Sequence, residues 1–181
     1  KTPVALFVPS IERAHCGIKE YSLQMAAAMS SQGVSVSLIG HEDPFQWLPC
    51  IEAAECDIVH FQHEYQFIDP TRMAFILKMC RQMGRKTVVT MHTVGKAAVS
   101  HNDAIVNNAD LVIVTNRMAY EFMLMHYDHM GNGNLALMHL PIPFTRPMPI
   151  DEETLKERKA ALEIPEDSKV VAFFGMMYPH K

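Results

Sequence analysis

The stretch VALFVPSIERAHCGIKEYSLQMAAAMSSQG, residues 4–33, decides the fold class of this chain. Its first five residues predict a buried strand, and residues 9–18 predict a polar loop that contains Gly17. Residues 19–32 then predict an amphipathic helix, which ends before Gly33. A helix that follows a strand and a loop leaves its first backbone N–H groups unpaired at the carboxyl edge of the sheet. Such groups bind anions, so we expect an anionic ligand near Gly17.

Size and composition are those of a soluble globular protein. The chain has 181 residues, 49% of them hydrophobic and 20% charged, which predicts one domain, or one domain and the beginning of another. The net charge of -4 gives no basic surface for nucleic acid. No apolar run approaches the roughly 20 residues that span a bilayer. The four cysteines form no CxxC pair, as expected of reduced thiols in a cytoplasmic protein.

The rest of the sequence alternates short apolar runs with amphipathic segments. Gly33 and Gly84 each stand between a helical segment and the strand after it, where a left-handed residue ends a helix. Residues 40–55 contain two prolines and the only tryptophan, and they predict a loop with one short helical turn. The other predicted elements are strands at residues 34–39, 57–61, 87–91, 111–114 and 135–140, and helices at residues 69–83, 96–107 and 117–126.

This alternation predicts an α/β fold, a Rossmann-like parallel sheet flanked by helices. The third, fourth and fifth strands are continuous apolar runs, as in strands that are buried on both faces. Right-handed crossovers put the carboxyl ends of parallel strands on one edge, and ligands bind at that edge. Glycine and polar residues just past the predicted strand ends should therefore meet there; they are Gly17, His63, Glu64, His92 and Thr115.

The sequence changes character after the sixth predicted strand. Four prolines within residues 141–149 predict a linker. Asp151 is placed to cap a helix whose first turn is acidic. Residues 170–175 then predict a new buried strand that enters a glycine turn. We therefore divide the chain into a Rossmann-like domain, residues 1–148, and the linker, helix and first strand of a second domain, residues 149–181.

Five segments occur in an order that is typical of one enzyme family. They are GIKEY (17–21), DIVHFQHEY (57–65), TVVTMHT (87–93), ADLVIV (109–114), and the region from LEIPED (162–167) through FG (174–175) to PHK (179–181). Together they span nearly the whole chain, and their order resembles that of the family 4 glycosyltransferases of the GT-B fold. In that fold two Rossmann-like lobes face each other across a cleft. The resemblance implies that this chain is the N-terminal, acceptor-side lobe with the start of the C-terminal, donor-side lobe.

The resemblance implies a retaining transfer of a sugar from a nucleotide-sugar donor to an acceptor hydroxyl. The backbone N–H of Gly17 and the side chain of Lys181 would bind the donor diphosphate, where negative charge develops as the sugar leaves. His92 matches the active-site histidine of the family. Members of this fold generally need no metal, and no other cofactor is implied because the nucleotide sugar is a substrate.

Three residues at the end of the third predicted strand, His63, Glu64 and Tyr65, are candidates for acceptor binding. His63 and Glu64 would line the acceptor pocket, and the ring of Tyr65 would stack on an acceptor sugar. The acceptor class stays open between a sugar, a lipid and a small molecule, and the family often contacts the inner membrane face peripherally. His60 and His63 form an HxxH pattern, but they point to opposite faces of a strand, so no metal site is predicted there.

Three departures from the family pattern bear on activity. Cys16-Gly17 stands where many members have two glycines, and Met176 stands where an arginine would contact phosphate. The Glu-x7-Glu segment that binds the donor sugar and ribose would lie beyond residue 181. We therefore expect the 181-residue chain to be inactive without a C-terminal lobe.

Two other functions stay open on the sequence. An NAD(P)- or nucleotide-binding oxidoreductase would use the same sheet edge, although the first loop has no GxGxxG and only Glu42 is placed to bind a ribose. A non-catalytic Rossmann-like module would bind a ligand or a partner at that edge. For His92 the alternative is a structural role, and for Gly17 it is that of a turn glycine.

Overall fold

A six-stranded parallel sheet dominates the computed structural model, which describes residues 3–8, 16–40, 46–140 and 149–171. The strands are β1 (Pro3–Val8), β2 (Ser35–Gly40), β3 (Ile58–His63), β4 (Lys86–Met91), β5 (Leu111–Val114) and β6 (Leu135–Leu137). The helices are α1 (Gly17–Ser31), α2 (Trp47–Ala53), α3 (Pro70–Gln82), α4 (Val99–Val106), α5 (Arg117–His126) and α6 (Glu152–Ala161). The predicted α/β fold with a Rossmann-like parallel sheet is therefore confirmed.

The strand order reverses at β1. The sheet order is β2-β1-β3-β4-β5-β6, and every neighbouring pair is parallel. The chain leaves β1 for β2 on one side and then crosses to β3 on the other side. In open α/β sheets a crevice forms at such a reversal, outside the carboxyl ends of the strands, and ligands bind in it. β2 lies at one edge of the sheet, and its Ser35 and Ser37 are exposed.

The two faces of the sheet differ in polarity. The register aligns Phe7 with Phe61 and, one position earlier, Leu6 with His60. Because side chains alternate along a strand, these two pairs lie on opposite faces. On the first face the Trp47 ring of α2 lies 6.0 Å from the Phe7 ring and 5.7 Å from the Phe61 ring, centroid to centroid. This face carries the main hydrophobic core, whereas buried polar side chains occupy part of the second face.

Side-chain caps and glycines set several of the helix boundaries. The predicted cap Asp151, together with Asp69 and Asn116, accepts a hydrogen bond from the backbone N–H three residues later, at 2.7, 3.0 and 2.8 Å. Gly33 and Gly84 have φ angles of +81° and +73°. Glycine adopts this left-handed conformation without strain, so both glycines end a helix as predicted.

Two helices begin where the sequence did not place them. α1 begins at Gly17, so this residue is the first of the helix and does not belong to the preceding loop. α4 begins at Val99 rather than at residue 96, because the chain before it forms a turn in which Ala98 N donates to Gly95 O. The sixth strand is also shorter than predicted and ends at Leu137.

Helix α2, at seven residues, is longer than the one short helical turn predicted within residues 40–55. Trp47 and Ile51, four residues apart, are both buried on the apolar face of the sheet. Pro49 lies in the first turn of this helix, where a missing N–H removes no hydrogen bond. The proline that favoured a loop in the sequence is thus compatible with a helix, and burial of the two apolar side chains stabilises it.

Polar side chains tie the strands together at the amino edge. Asp110, just before β5, accepts hydrogen bonds from the backbone N–H and the hydroxyl of Thr87 in β4, both at 2.9 Å. It also accepts one from Lys86 Nζ at 3.1 Å. Arg85 donates to the carbonyl of Cys56, just before β3. These bonds join the beginnings of β3, β4 and β5 directly.

The chain divides into two compact units, Lys1–Pro143 and Phe144–Lys181. The division falls within the predicted linker, of which residues 141–148 lie outside the described part. In the second unit the described residues form α6, which buries no side chain. Across the described ranges, no helix is both long enough and apolar enough to cross a bilayer.

The strand predicted at residues 170–175 is described only at its beginning. Val170 and Val171 belong to no strand, and they are 56% and 96% exposed. The prediction of a buried strand is therefore wrong for these two residues, because no described element pairs with or covers them. Its remaining residues, together with Met176 and Lys181, lie outside the described part of the chain.

Candidate functional site at the carboxyl edge

The carboxyl ends of β3 and β4 bring several predicted site residues together. His63 ends β3 and is followed by Glu64 and Tyr65, and His92 follows β4. His92 N donates to His63 O at 3.1 Å, and Thr93 Oγ1 donates to Glu64 Oε2 at 2.6 Å. Glu64 and His92 therefore lie on adjoining segments of one edge. Thr115 follows β5, the next strand, and is 7% exposed.

Glu64 is anchored through both of its carboxylate oxygens. Oε1 accepts from Tyr65 N at 2.9 Å, and Oε2 accepts from Thr93. The residue is partly exposed, and each oxygen of a carboxylate has a second lone pair. Glu64 can therefore accept a hydrogen bond from a ligand without releasing the two segments that it joins.

A chain of polar side chains leads from His92 into the sheet. Gln62 Oε1 lies 2.9 Å from His92 Nε2, and Gln62 Nε2 lies 3.3 Å from His60 Nε2. His60 Nε2 in turn lies 2.8 Å from Thr90 Oγ1. Gln62, His60 and Thr90 are 2%, 6% and 0% exposed. Buried polar groups need partners, and these three side chains are partners for one another.

Burial holds the two histidines of this polar chain in the neutral form at pH 7. It lowers the pKa of His92 from 6.5 to about 4, although the negative charge of Glu64 opposes the shift. Burial likewise lowers the pKa of His60 to about 4, and the charge of His92 adds to that shift. A neutral imidazole has one N–H donor and one lone pair. His92 can therefore donate one hydrogen bond and accept one.

Helix α1 contacts His92 through Tyr21, which lies in its second turn. The Tyr21 ring meets the His92 ring edge to face, with centroids 5.1 Å apart, and Gly17 lies one helical turn earlier. The N-cap residue Cys16 makes no side-chain cap hydrogen bond. The first backbone bond at the start of α1 runs from Glu20 N to Cys16 O. The N–H of Gly17 thus has no partner within the helix, as is usual for a first turn.

The described residues give no steric reason for glycine at position 17. None of their atoms lies within 4 Å of a Cβ built on Gly17, and its φ angle is outside the left-handed region. The close approach of a phosphate to Gly17 stays a prediction. Lys181, the second predicted phosphate ligand, lies outside the described residues, and so does Glu42.

His63 lies on the sheet face opposite to His60. The residue is 2% exposed, and its Nε2 has no hydrogen-bond partner. The rings of Tyr65 and His101 lie 5.9 and 6.2 Å from it, centroid to centroid. Burial first, and then the charges of His101 and His92, lower the pKa of His63 to about 3. His63 is covered by protein, and its predicted role in acceptor binding stays a prediction.

Tyr65 is bonded to the segment between β4 and α4. Its hydroxyl accepts from Gly95 N at 2.7 Å and donates to Asn102 Oδ1 at 2.8 Å, and Asn102 Nδ2 donates to Gly95 O at 3.1 Å. Tyr65 therefore holds in place the segment that follows His92. No pattern in the sequence pointed to Asn102, which is fully buried yet stands in an ordinary polar helix start.

Gln62 and Thr90 were also missed, although the sequence contained a signal for Gln62. In β3 the polar residues His60 and Gln62 alternate with Val59 and Phe61. A continuous apolar run has no such alternation, so β3 differs from a strand that is apolar on both faces. Two polar residues on one face of a central strand indicate a polar network at the edge where the strand ends.

One other feature of the described residues, a cavity, contains none of the predicted site residues. A surface cavity of about 630 Å³ lies between α3 and α4 and is lined by Phe75, Lys78, Ser100 and Asp103 among others. No three His, Cys, Asp or Glu side chains of the described ranges come together in a way that could hold a metal ion.

Comparison with known proteins adds nothing firm to the fold and the site described above. No protein-family model matches the sequence, and no curated protein matches it. A two-component response regulator from Clostridium difficile is 11% identical, with a TM-score of 0.42 over 90% of this chain and 97% of that one. A cobalamin-binding protein from Desulfitobacterium hafniense DCB-2 is 13% identical, with a TM-score of 0.42 over 69% of this chain and 57% of that one. Likenesses this weak carry no information about function.

Proposed function

We propose that this chain is the acceptor-side lobe of a retaining glycosyltransferase of the GT-B fold that uses a nucleotide-sugar donor. One observation carries the proposal: a neutral His92 packs against Tyr21 of α1, one helical turn after Gly17, and the next residue, Thr93, donates to the carboxylate of Glu64. These contacts lie next to the reversal of strand order. A helix N-terminus favours a phosphate, whereas imidazole and carboxylate accept hydrogen bonds from hydroxyls. A nucleotide sugar and its acceptor present both kinds of group.

The sequence resemblance supports the same proposal. Three of the five segments that resemble the family 4 glycosyltransferases meet at this edge. The first contributes Gly17 and Tyr21, the second contributes Gln62 and Glu64, and the third contributes His92. Because these segments are far apart in sequence, their convergence supports a shared site better than any one of them does.

The proposed chemistry assigns a part to each of these groups. The bond between the anomeric carbon and the diphosphate oxygen breaks, and a bond to the acceptor oxygen forms on the same face of the sugar. Donors aimed at the leaving diphosphate contribute most, about 2.7–4 kcal/mol each by analogy with oxyanion holes. The N–H of Gly17 would be one such donor. His92 and Glu64 would hold hydroxyls of the transferred sugar or of the acceptor.

Calorimetry and a transfer assay on the longest natural protein that contains these 181 residues test the proposal. We expect UDP- or GDP-sugar binding and, with a sugar or lipid acceptor present, release of the nucleoside diphosphate. Binding of NAD(P) alone would support the oxidoreductase, and binding of neither would support the non-catalytic module. Transfer by the 181-residue chain alone would overturn its assignment as one lobe of two.

A variant pair connects this assay to the site. His92→Ala should lower the transfer rate roughly tenfold to a hundredfold, as expected for the loss of one hydrogen bond to a reacting sugar. His126→Ala, on the exposed face of α5, is the matched control and should leave the rate unchanged. Equal rates for the two variants would contradict a role for His92 in transfer.

A further inference from the structure

We infer that Gln62 is a positioning residue that holds His92 with its proton on Nε2. Nδ1 then carries the lone pair, and this is the nitrogen that His92 offers to a ligand in the crevice. The ligand group at that point has to be a hydrogen-bond donor, and a hydroxyl is the fitting class. Only the assignment of that hydroxyl to a sugar or an acceptor rests on the proposed function.

The amide of Gln62 sets the direction of the hydrogen bond to His92. Its Oε1 faces His92 Nε2 at 2.9 Å, and its Nε2 faces His60 Nε2 at 3.3 Å. An amide oxygen can only accept, and an amide nitrogen can only donate. His92 Nε2 must therefore carry the proton, and His60 Nε2 must carry a lone pair.

Thr90 explains why the amide does not point the other way. With a lone pair on His60 Nε2, the Thr90 hydroxyl donates its proton to that nitrogen over 2.8 Å, and the longer contact from Gln62 Nε2, at 3.3 Å, shares the same lone pair. A reversed Gln62 amide would require a proton on His60 Nε2, and Thr90 would then have to accept. Its own hydroxyl proton would have no acceptor among the described residues, at a residue that is 0% exposed. Leaving a buried donor unpaired is destabilising by about 1–3 kcal/mol.

Nδ1 is the ring nitrogen of His92 that the described residues leave open. Gln62 occupies Nε2, and the Tyr21 ring packs against the imidazole at 5.1 Å. No hydrogen bond from a described residue reaches Nδ1, and His92 is partly exposed. A neutral lone pair attracts a hydroxyl proton and does not attract a phosphate. This arrangement assigns hydroxyl binding to His92 and leaves phosphate binding to other groups.

NMR of the 181-residue chain labelled with ¹⁵N-histidine tests the assignment. At pH 7 we expect His92 to show a protonated Nε2, an unprotonated Nδ1, and a slowly exchanging Nε2–H signal. Gln62→Leu removes the acceptor and should lose that signal through exchange with water. Gln62→Glu restores an acceptor oxygen and should keep it. Gln66→Leu, at an exposed glutamine just beyond β3, is the matched control and should leave it unchanged.

Three results would overturn the inference: a proton on Nδ1 in the native chain, an unchanged Nε2–H signal in folded Gln62→Leu, or a lost signal in folded Gln62→Glu. If Gln62→Leu does not fold, Thr90→Val tests the inference instead, because it removes the hydroxyl that sets the direction of the Gln62 amide. It should shift His92 toward the Nδ1–H form, and an unshifted His92 would contradict the inference. The readout needs no donor or acceptor, so the tautomer can be right even where transfer is absent.

Discussion

Phe61 and Gln62 are neighbours in β3, yet their surroundings are opposite. Phe61 packs between Phe7 and Trp47, with ring centroids 5.3 and 5.7 Å away, and it is 1% exposed. Gln62 is buried almost as completely, at 2%, but it bonds to His60 and His92. The alternation of side chains along a strand thus separates an apolar core from a polar network within a single residue step.

The difference teaches that the two faces contribute to the protein in different ways. On the apolar face, burial stabilises the fold in proportion to the area removed from water. On the polar face, each buried group is favourable only while its partner is present and correctly protonated. Changes of pH should therefore act through the buried histidines, whereas changes of side-chain volume should act through the apolar core.

Acid should have the largest effect. His60 and His92, which belong to the polar network, have folded-state pKa values of about 4, and His63, on the opposite face, has one of about 3, against 6.5 for an exposed histidine. Between roughly pH 6.5 and 4 the unfolded chain therefore binds more protons than the folded chain. The stability that these neutral histidines contribute is fully present above this range. As the pH decreases through it, the free energy of unfolding decreases by up to about 1.4 kcal/mol per pH unit for each histidine.

Urea unfolding midpoints measured from pH 7.5 down to 5 check this expectation. His60→Gln should make the pH dependence less steep, because one buried histidine is gone. His126→Gln, at an exposed histidine, should leave the steepness unchanged. A midpoint that stays constant over this range would show that the buried histidines do not control acid stability.

Truncation of Phe61 tests the other face and should have the next largest effect. Phe61→Ala removes a ring from the aromatic cluster and leaves a cavity, which should lower the free energy of unfolding by about 3–5 kcal/mol. Phe75→Ala is the matched control, since Phe75 is 53% exposed; its change should stay within about 0.5 kcal/mol. Equal losses in urea unfolding would mean that the face with Trp47 is not the stabilising one.

Gly17→Ala should change stability least and tests the edge at which the polar face ends. No described atom lies near an added Cβ, so the free energy of unfolding should change by less than about 1 kcal/mol. If a phosphate approaches this backbone, the methyl group blocks it, and nucleotide-sugar affinity should fall about tenfold or more, the loss of one charge-assisted hydrogen bond. Calorimetry on the longest natural protein measures this affinity.

Gly131→Ala provides the comparison for that substitution. Among the described residues nothing lies within 4 Å of a Cβ built on Gly131, and it stands in the short helix after α5, outside the candidate site. It should leave both stability and affinity nearly unchanged. An affinity loss shared by both alanine variants would remove the special role of Gly17.

The sequence predicted most of the fold because the decisive signals are local. β5 and α5 have the predicted bounds, and α6 begins directly after its predicted cap Asp151, since each is an apolar or amphipathic run with polar or capping residues at its start. α2 was predicted only as one short helical turn because Pro49 favours a loop, although the first turn of a helix tolerates proline. The start of α4 was missed because bonds from Tyr65, thirty or more residues away in sequence, hold the segment before it.

The candidate site, too, was predicted from local signals only in part. Topology alone placed Glu64 and His92 at one edge, because the carboxyl ends of parallel strands share that edge. The role of Gln62 could not be predicted, since its bond to His92 joins residues 30 positions apart and depends on side-chain geometry. Gly17 was placed at the correct edge but in the wrong element.

The bonds at the amino edge should make local opening of the sheet rarer there than at the carboxyl edge, which gives a gradient along β4. Asp110 and Arg85 fix the beginning of β4, whereas the end of β4 is joined to β3 through the partly exposed His92 and the exposed Thr93. Amide hydrogen exchange should therefore be slowest at Thr87 and faster at His92, because local openings begin where backbone bonds are exposed. A ligand that joins α1 to these strand ends would slow exchange at the carboxyl edge alone and flatten the gradient.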